Sequence, residues 1–378
     1  MTGARGARPV VFIHSSNELF GADRVLLQVI ESMLSATDLI PEVWLPDDVE
    51  GARDSIETRL ISIGVKTRKL PLPILRRKYL RPRCVPGLLA RAVGLWWRML
   101  RTKPVAVYCA TSAAIVAAPI ARLAGCGRVL VHIQEIWSGP EARVLGLLAR
   151  GASDVIAISE AARSSVIGIE RDAIRVIVNG VPDRTDPPPT GIPQSDRAIH
   201  FLIASRWNCW KGHGTLLNAW DVGDDPPGVL TIVGSPPHAG SGVDVPQLVA
   251  QLRHPDSVTI IGQVDDVTPY IDEADVMLVP SDEPEPFGLV AIEAFARRRT
   301  VIGTSGGGLS EIVTSGVDGM LFANRSVDEL ASILARVDRS TLRTLGDRAR
   351  KTYESRYSND RFVRDFGFIW RSVESGIN

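Results

Sequence analysis

Short apolar runs, each followed by a stretch with helical spacing, recur along most of this 378-residue chain. Runs that short and apolar suit strands buried on both faces by covering helices, so the alternation predicts an α/β chain with doubly wound parallel sheets. Candidate strands are 9–14, 42–45, 105–109, 129–133, 154–158 and 175–178 in a first series, and 199–204, 229–233, 258–261, 276–279 and 300–303 in a second. Between the series stands Thr185–Pro193, Thr-Asp-Pro-Pro-Pro-Thr-Gly-Ile-Pro. Proline there removes N–H donors and stiffens the chain, as in a linker. The pattern divides the chain into residues 1–185 as a first domain, 186–197 as a linker, 198–358 as a second domain, and 359–378, apolar at helical spacing from Asn359 to Val373, as a terminal helix.

Two cores also follow from size, since one rarely grows to this length. With 45% hydrophobic and 23% charged residues, the composition is that of a folded enzyme rather than a disordered chain. The formal charge is zero, yet residues 1–185 hold 25 Lys and Arg against 17 Asp and Glu, and the remainder 18 against 26. The first half is therefore the one suited to anionic surfaces or substrates. Cysteines 84, 109, 126 and 209 show no short paired spacing, which argues against a zinc knuckle or a disulfide framework and for a reducing compartment. The segment from Met1 to Arg8 lacks the apolar length of a signal peptide, and Ala113–Ala121 is too short to span a bilayer. The expectation is a cytoplasmic protein, not an integral membrane one.

The chemistry concentrates in Glu285-Pro286-Phe287-Gly288-Leu289-Val290-Ala291-Ile292-Glu293. An apolar strand ends at Pro280-Ser281 just before it, and the spacing from Leu289 to Arg297 is helical. Glu285 then lies in a loop and Glu293 one turn into a helix. The backbone N–H groups of Phe287, Gly288, Leu289 and Val290 would open that helix, where phosphate can bind. The two carboxylates are left to accept hydrogen bonds from hydroxyls. A glutamate in a first turn can also merely complement the helix dipole. The whole string, from Pro280-Ser281 to Glu293-Ala294, nevertheless resembles the E-x7-E signature of family 4 of the retaining GT-B glycosyltransferases. That resemblance implies two Rossmann-like domains facing across a cleft, with the C-terminal helix crossing back to the first. It places the donor sugar on Glu285 and the nucleotide ribose on Glu293.

Further motifs fall in the family's order. Arg206 and Lys211, in Ser205-Arg206-Trp207-Asn208-Cys209-Trp210-Lys211-Gly212, follow a strand's C-terminal end, where open α/β sheets bind ligands. Any two loop cations can be simply solvated. The Arg-x4-Lys-Gly spacing resembles the family's diphosphate-binding pair, which would neutralise the leaving group. Phe20-Gly21-Ala22-Asp23-Arg24 resembles the Gly-rich loop after the first strand, with Phe20 in place of the first glycine, so close backbone approach is expected only at Gly21. Ile158-Ser159-Glu160 and Val178-Asn179-Gly180 resemble segments closing the first domain. Gly262-Gln263-Val264-Asp265 resembles the segment facing the nucleotide base, with Val264 as the contact, and Gly306-Gly307-Gly308-Leu309-Ser310-Glu311 resembles the pocket floor. His132, at the end of an apolar strand, occupies a place where family members often carry a histidine near donor and acceptor; a strand-end histidine is also a common structural residue. His14 ends the first strand without a motif to support it.

Lys66–Lys103 contains twelve Lys and Arg and no acid, interleaved with Tyr79, Trp96 and Trp97. It reads as a peripheral foot for an anionic membrane at its inner face, a groove for an anionic acceptor, or a solvated basic face. No nucleic-acid motif accompanies it. The resemblance implies a retaining, metal-independent transferase that moves a sugar from a UDP- or GDP-linked donor to a sugar or lipid-linked acceptor in cell-envelope synthesis. It requires no cofactor, and no Asp-x-Asp occurs in the chain. A GT-B epimerase or a non-catalytic sugar-nucleotide-binding protein would share the fold.

Overall fold

The computed structural model describes residues 8–49, 55–76, 84–184, 188–192, 197–237 and 241–376. The chain forms two compact units, one of residues 1–179 with 360–378 and one of 180–359. In the first, β1 (Val10–Ile13), β2 (Pro41–Pro46), β3 (Lys66–Leu70), β4 (Ala106–Cys109), β5 (Arg128–Ile133), β6 (Asp154–Ala157) and β7 (Ile174–Val176) make one sheet in the order β3-β2-β1-β4-β5-β6-β7. In the second, β8 (His200–Ala204), β9 (Val229–Val233), β10 (Val258–Gly262), β11 (Val276–Val279), β12 (Thr300–Thr304) and β13 (Gly319–Phe322) follow the order β10-β9-β8-β11-β12-β13. Neighbouring strands pair parallel throughout, for example Val10 beside Pro41 and Ala106, and Val276 beside Phe201 and Thr300. Strand order reverses between β1 and β4 and again between β8 and β11. The loops there leave in opposite directions and open a crevice at the strands' C-terminal ends.

All eleven expected strands form. Two more were not anticipated, β3 and β13, and both are sheet edges. Strand β13, Gly-Met-Leu-Phe, is short but apolar, whereas an edge strand with one neighbour and little burial, such as β3, needs no apolar run. Thus β3 reads Lys-Thr-Arg-Lys-Leu and is largely exposed. Its cations find acids outside the segment: Lys66 and Arg68 pair with Glu42 on β2 at 3.1 and 2.6 Å, and Lys69 with Glu57 at 2.7 Å. Further on, Arg76 pairs with Asp48 at 2.6 Å and Arg91 with Asp47 at 3.1 Å. Lys66–Lys103 holds no acid, yet Lys66, Arg68, Lys69, Arg76 and Arg91 are thus met by acids from outside it. Arg77, Lys78 and Tyr79 lie outside the described residues.

The Pro-rich stretch is not a free linker over its described part. Ile192 is buried in the second unit's core, and the carbonyls of Thr190 and Ile192 accept from Arg299 and Arg343 at 2.6 and 3.0 Å. Asp186, Pro187 and residues 193–196 lie outside the described residues.

The last helix, Asn359–Ser375, returns to the first unit. Trp370 packs on Phe12 and Tyr108 with ring centroids 5.5 and 5.8 Å away, and its indole N–H donates to Ser32 at 3.1 Å. A buried tryptophan with its N–H satisfied contributes about 3 kcal/mol or more to holding that helix in place. Among the described residues, no helix is long and apolar enough to cross a membrane.

Candidate functional site

In the second unit three loops converge at the reversal between β8 and β11. Strand β11 is wholly buried and runs out at Pro280. Ser281 is fixed through its carbonyl, which accepts from Thr304 at 2.9 Å and Asn324 at 3.1 Å. Its hydroxyl donates to Oε1 of Glu285 at 2.5 Å. The loop after β8 reaches the same oxygen: Lys211 Nζ donates to Glu285 Oε1 at 2.7 Å while standing 4.1 Å from the centre of the Trp210 ring. Glu285 is only 4% exposed, so its charge is compensated by that ammonium and hydroxyl. The third loop follows β12, where Gly308 N–H donates to the Glu285 carbonyl at 2.7 Å.

Two glycines make this convergence possible. At Gly212, φ is +73° and a Cβ would stand 1.8 Å from the Pro280 carbonyl oxygen. At Gly307, φ is +60° and a Cβ would stand 2.2 Å from the Glu285 carbonyl oxygen. Any other residue would push the Lys211 loop off β11, or the glycine floor off Glu285.

Gly288, with φ of +107°, precedes the helix Leu289–Ala296, whose first N–H groups have no intrahelical acceptors. Leu289 and Val290 are partly exposed there, whereas the Phe287 ring is buried against Tyr357, leaving only its backbone to offer a ligand. Glu293 stands partly exposed in the second turn of that helix. Arg206 is exposed directly after β8. Val264 lies beyond β10, which β9 separates from β8. Hydrogen bonds tie the loops after β8, β9 and β10 together, Trp207 N–H to the Ser235 carbonyl at 2.9 Å and Ser235 hydroxyl to Gln263 at 3.0 Å.

Ser281, Trp210 and His213 were missed by the sequence reading. Ser281 and Trp210 adjoin the two motifs and carry no signal of their own. His213 follows the Lys-Gly pair, is buried, and faces the Ser205 hydroxyl at 3.5 Å. Burial, aided by the nearby Lys211 ammonium, pushes its pKa down to about 4, so the ring is neutral near pH 7.

The first unit does not support His132 as a catalytic residue. Its ring is fully buried, takes a 2.6 Å hydrogen bond with the Tyr108 hydroxyl, and meets Phe366 of the last helix at 5.5 Å. Burial lowers its pKa to about 3. A neutral ring between two aromatic rings is a packing element, placed there because it lies within β5 on the face the last helix covers. The polar cluster at this sheet's reversal instead contains His14, which meets Asp23 at 2.7 Å. Burial opposes the Asp23 charge, but the His14 ring, the Ser16 hydroxyl and the Phe20 N–H outweigh it and hold the carboxyl below its usual range. Across the reversal, Ser112 donates to Glu135, and the Trp137 indole donates to Ser112 at 2.7 Å. Gly21 opens the helix Gly21–Ala36 with ordinary helical backbone. Asp23, nine positions after His14 in the Gly-rich motif, was the available signal.

Among the described residues, no three His, Cys, Asp or Glu side chains stand together to hold a metal ion.

Residues 198–338, which include both motif loops, match the family of glycosyl transferases group 1. That match lies wholly within the second unit. N-acetyl-alpha-D-glucosaminyl L-malate synthase of Bacillus anthracis is 33% identical over 129 residues, 34% of each chain. D-inositol 3-phosphate glycosyltransferase of Kribbella flavida is 36% identical over 135 residues, 32% of this chain and 30% of that one. The matched stretch thus spans about a third of each of these relatives' length. Among solved structures, Anabaena HepE in complex with UDP and glucose superposes with a TM-score of 0.78 at 22% identity, covering 97% of this chain and 100% of that one. The apo lipopolysaccharide outer core galactosyltransferase WaaB gives 0.74 at 18% identity, covering 96% and 99%. At these identities the likeness is one of fold, and the fold class is GT-B.

Proposed function

We propose that this protein is a retaining glycosyltransferase whose second unit holds a nucleoside diphosphate sugar and whose first unit receives the acceptor. The observation that carries the proposal is the Lys211–Glu285 pair, its carboxylate buried and its ammonium partly exposed, 2.7 Å apart at the sheet reversal and inside the stretch that matches glycosyl transferases group 1. In this reading Arg206, Lys211 and the N–H groups of Gly288, Leu289 and Val290 neutralise the diphosphate as it leaves. Lys211 then exchanges part of its contact with Glu285 for phosphate oxygen. Glu285 orients the sugar through Oε2, because both hydrogen bonds that it accepts among the described residues fall on Oε1. Glu293 holds the ribose.

Retention follows from departure and attack on one face, the donor phosphate taking the acceptor's proton. The two cations supply the positive charge a metal would otherwise bring. Bound UDP and glucose in the HepE structure favour a nucleotide-sugar donor, and the WaaB likeness favours cell-envelope glycolipid or polysaccharide synthesis on the cytoplasmic side. The test is turnover of a panel of UDP- and GDP-sugars with envelope-type acceptors, reading free nucleoside diphosphate and the product's anomeric configuration by NMR. Acceptor-dependent release with the donor's anomeric configuration kept is expected. An inverted product refutes retention, and donor binding without release on any acceptor refutes transfer.

A further inference from the structure

The helix Val85–Thr102 is apolar on two faces: Leu95 and Met99 are buried, and a second apolar face is turned outward. Leu89 is 61% exposed, Val93 63% and Trp97 50%. These three stand at positions i, i+4 and i+8, on one face. Leu123, 78% exposed at the end of the neighbouring helix Ala117–Leu123, extends the patch, and the Trp96 indole donates to its carbonyl at 3.3 Å. Five large apolar side chains side by side on a surface call for a partner.

The charge around them says which. No Asp or Glu occurs from Thr58 to Gln134, so neither helix carries an acid. Arg98, Arg101, Lys103 and Arg122 neighbour these residues in sequence, and the Arg101 guanidinium stands 4.6 Å from the centre of the Trp97 ring. These differ from the cations of β3, which are met by Glu42 and Glu57. Tryptophan beside arginine on an otherwise aliphatic face is the composition of an interfacial membrane helix, rings at the headgroup level and cations among anionic lipids. We infer that Leu89, Val93, Trp96, Trp97 and Leu123 form a face that docks the first unit on an anionic bilayer, independently of the sugar chemistry.

The test uses the full chain and vesicles of phosphatidylcholine with or without phosphatidylglycerol. Co-sedimentation should require the anionic lipid, fall as salt rises, and shift tryptophan emission to the blue. Trp96→Ser with Trp97→Ser should abolish the shift and release the protein. Arg101→Ser with Lys103→Asn should weaken binding about fivefold per cation removed. Lys66→Ser with Arg68→Ser removes the same charge from β3 and should change binding less than twofold. Equal loss in the β3 variant would overturn the assignment to this face. So would unchanged binding in the tryptophan variant, or sedimentation velocity showing a dimer that the tryptophan variant dissolves while vesicles bind neither form. All substituted side chains are exposed, and thermal melting confirms folding.

Discussion

Replacing Lys211 by methionine tests how firmly the site is built before any ligand arrives. The change removes the cation from a carboxylate whose side chain is 5% exposed and leaves Glu285, among the described residues, with the Ser281 hydroxyl as its side-chain donor. Breaking a buried pair on one side costs about 3–5 kcal/mol. Lys211 is itself 22% exposed, so water can reach the vacated position and the expected loss falls to about 2–3 kcal/mol. For a unit of this size that corresponds to a drop of roughly 5–10 °C in Tm. Glu285→Gln alone should cost about 1 kcal/mol, because the stranded ammonium can still be hydrated. Combining the two should cost less than their sum, a coupling of about 1–3 kcal/mol by denaturant unfolding followed by circular dichroism. A coupling within about 0.3 kcal/mol of zero would show that the pair does not organise the site.

Gly212→Ala should be worse than most surface changes: the left-handed backbone and the 1.8 Å approach to Pro280 predict a loss of at least about 2 kcal/mol, with donor binding impaired alongside. Wild-type Tm and donor affinity in that variant would contradict the close approach. His132→Phe, made together with Tyr108→Phe so that no hydroxyl is orphaned, should retain turnover within about threefold; a loss of a hundredfold would restore a catalytic role. Acid should destabilise the protein as pH falls from about 6.5 towards 4, because His213, with a folded pKa of about 4, must stay neutral while the unfolded histidine takes up a proton. In His213→Asn the slope of stability against pH over that window should be shallower, and an unchanged slope would remove His213 as its cause.

The interior of the fold was legible because strands buried on both faces must be apolar, and every such strand produced a run. The edges were not. Strand β3 is recognisable only through its partner, since its basic residues belong in a strand once Glu42 stands beside them on β2. Nor could the acids that meet Lys66, Arg68, Lys69, Arg76 and Arg91 be read from Lys66–Lys103 itself, because ion pairs between distant segments leave no local trace. In the site, Glu285, Lys211 and the glycines were visible as spacing. Their mutual contact was not, and neither was Ser281, whose importance rests on which atoms surround it. His132 and His14 both stand near the C-terminal ends of apolar strands, and the family resemblance alone favoured His132 over His14. The difference lies in what covers them: the last helix over His132, and the Asp23 carboxylate at His14.

Calorimetric titration of Glu285→Ala and Glu293→Ala, each with a nucleoside diphosphate and with the corresponding sugar nucleotide, bears most directly on the proposed donor site. Ribose is common to both ligands, so Glu293→Ala should weaken both by a similar factor, roughly tenfold or more for a lost charge-assisted bond. Glu285→Ala should leave the diphosphate within about threefold and weaken the sugar nucleotide selectively. Equal loss of diphosphate affinity in the two variants, or no loss in either, would contradict the account.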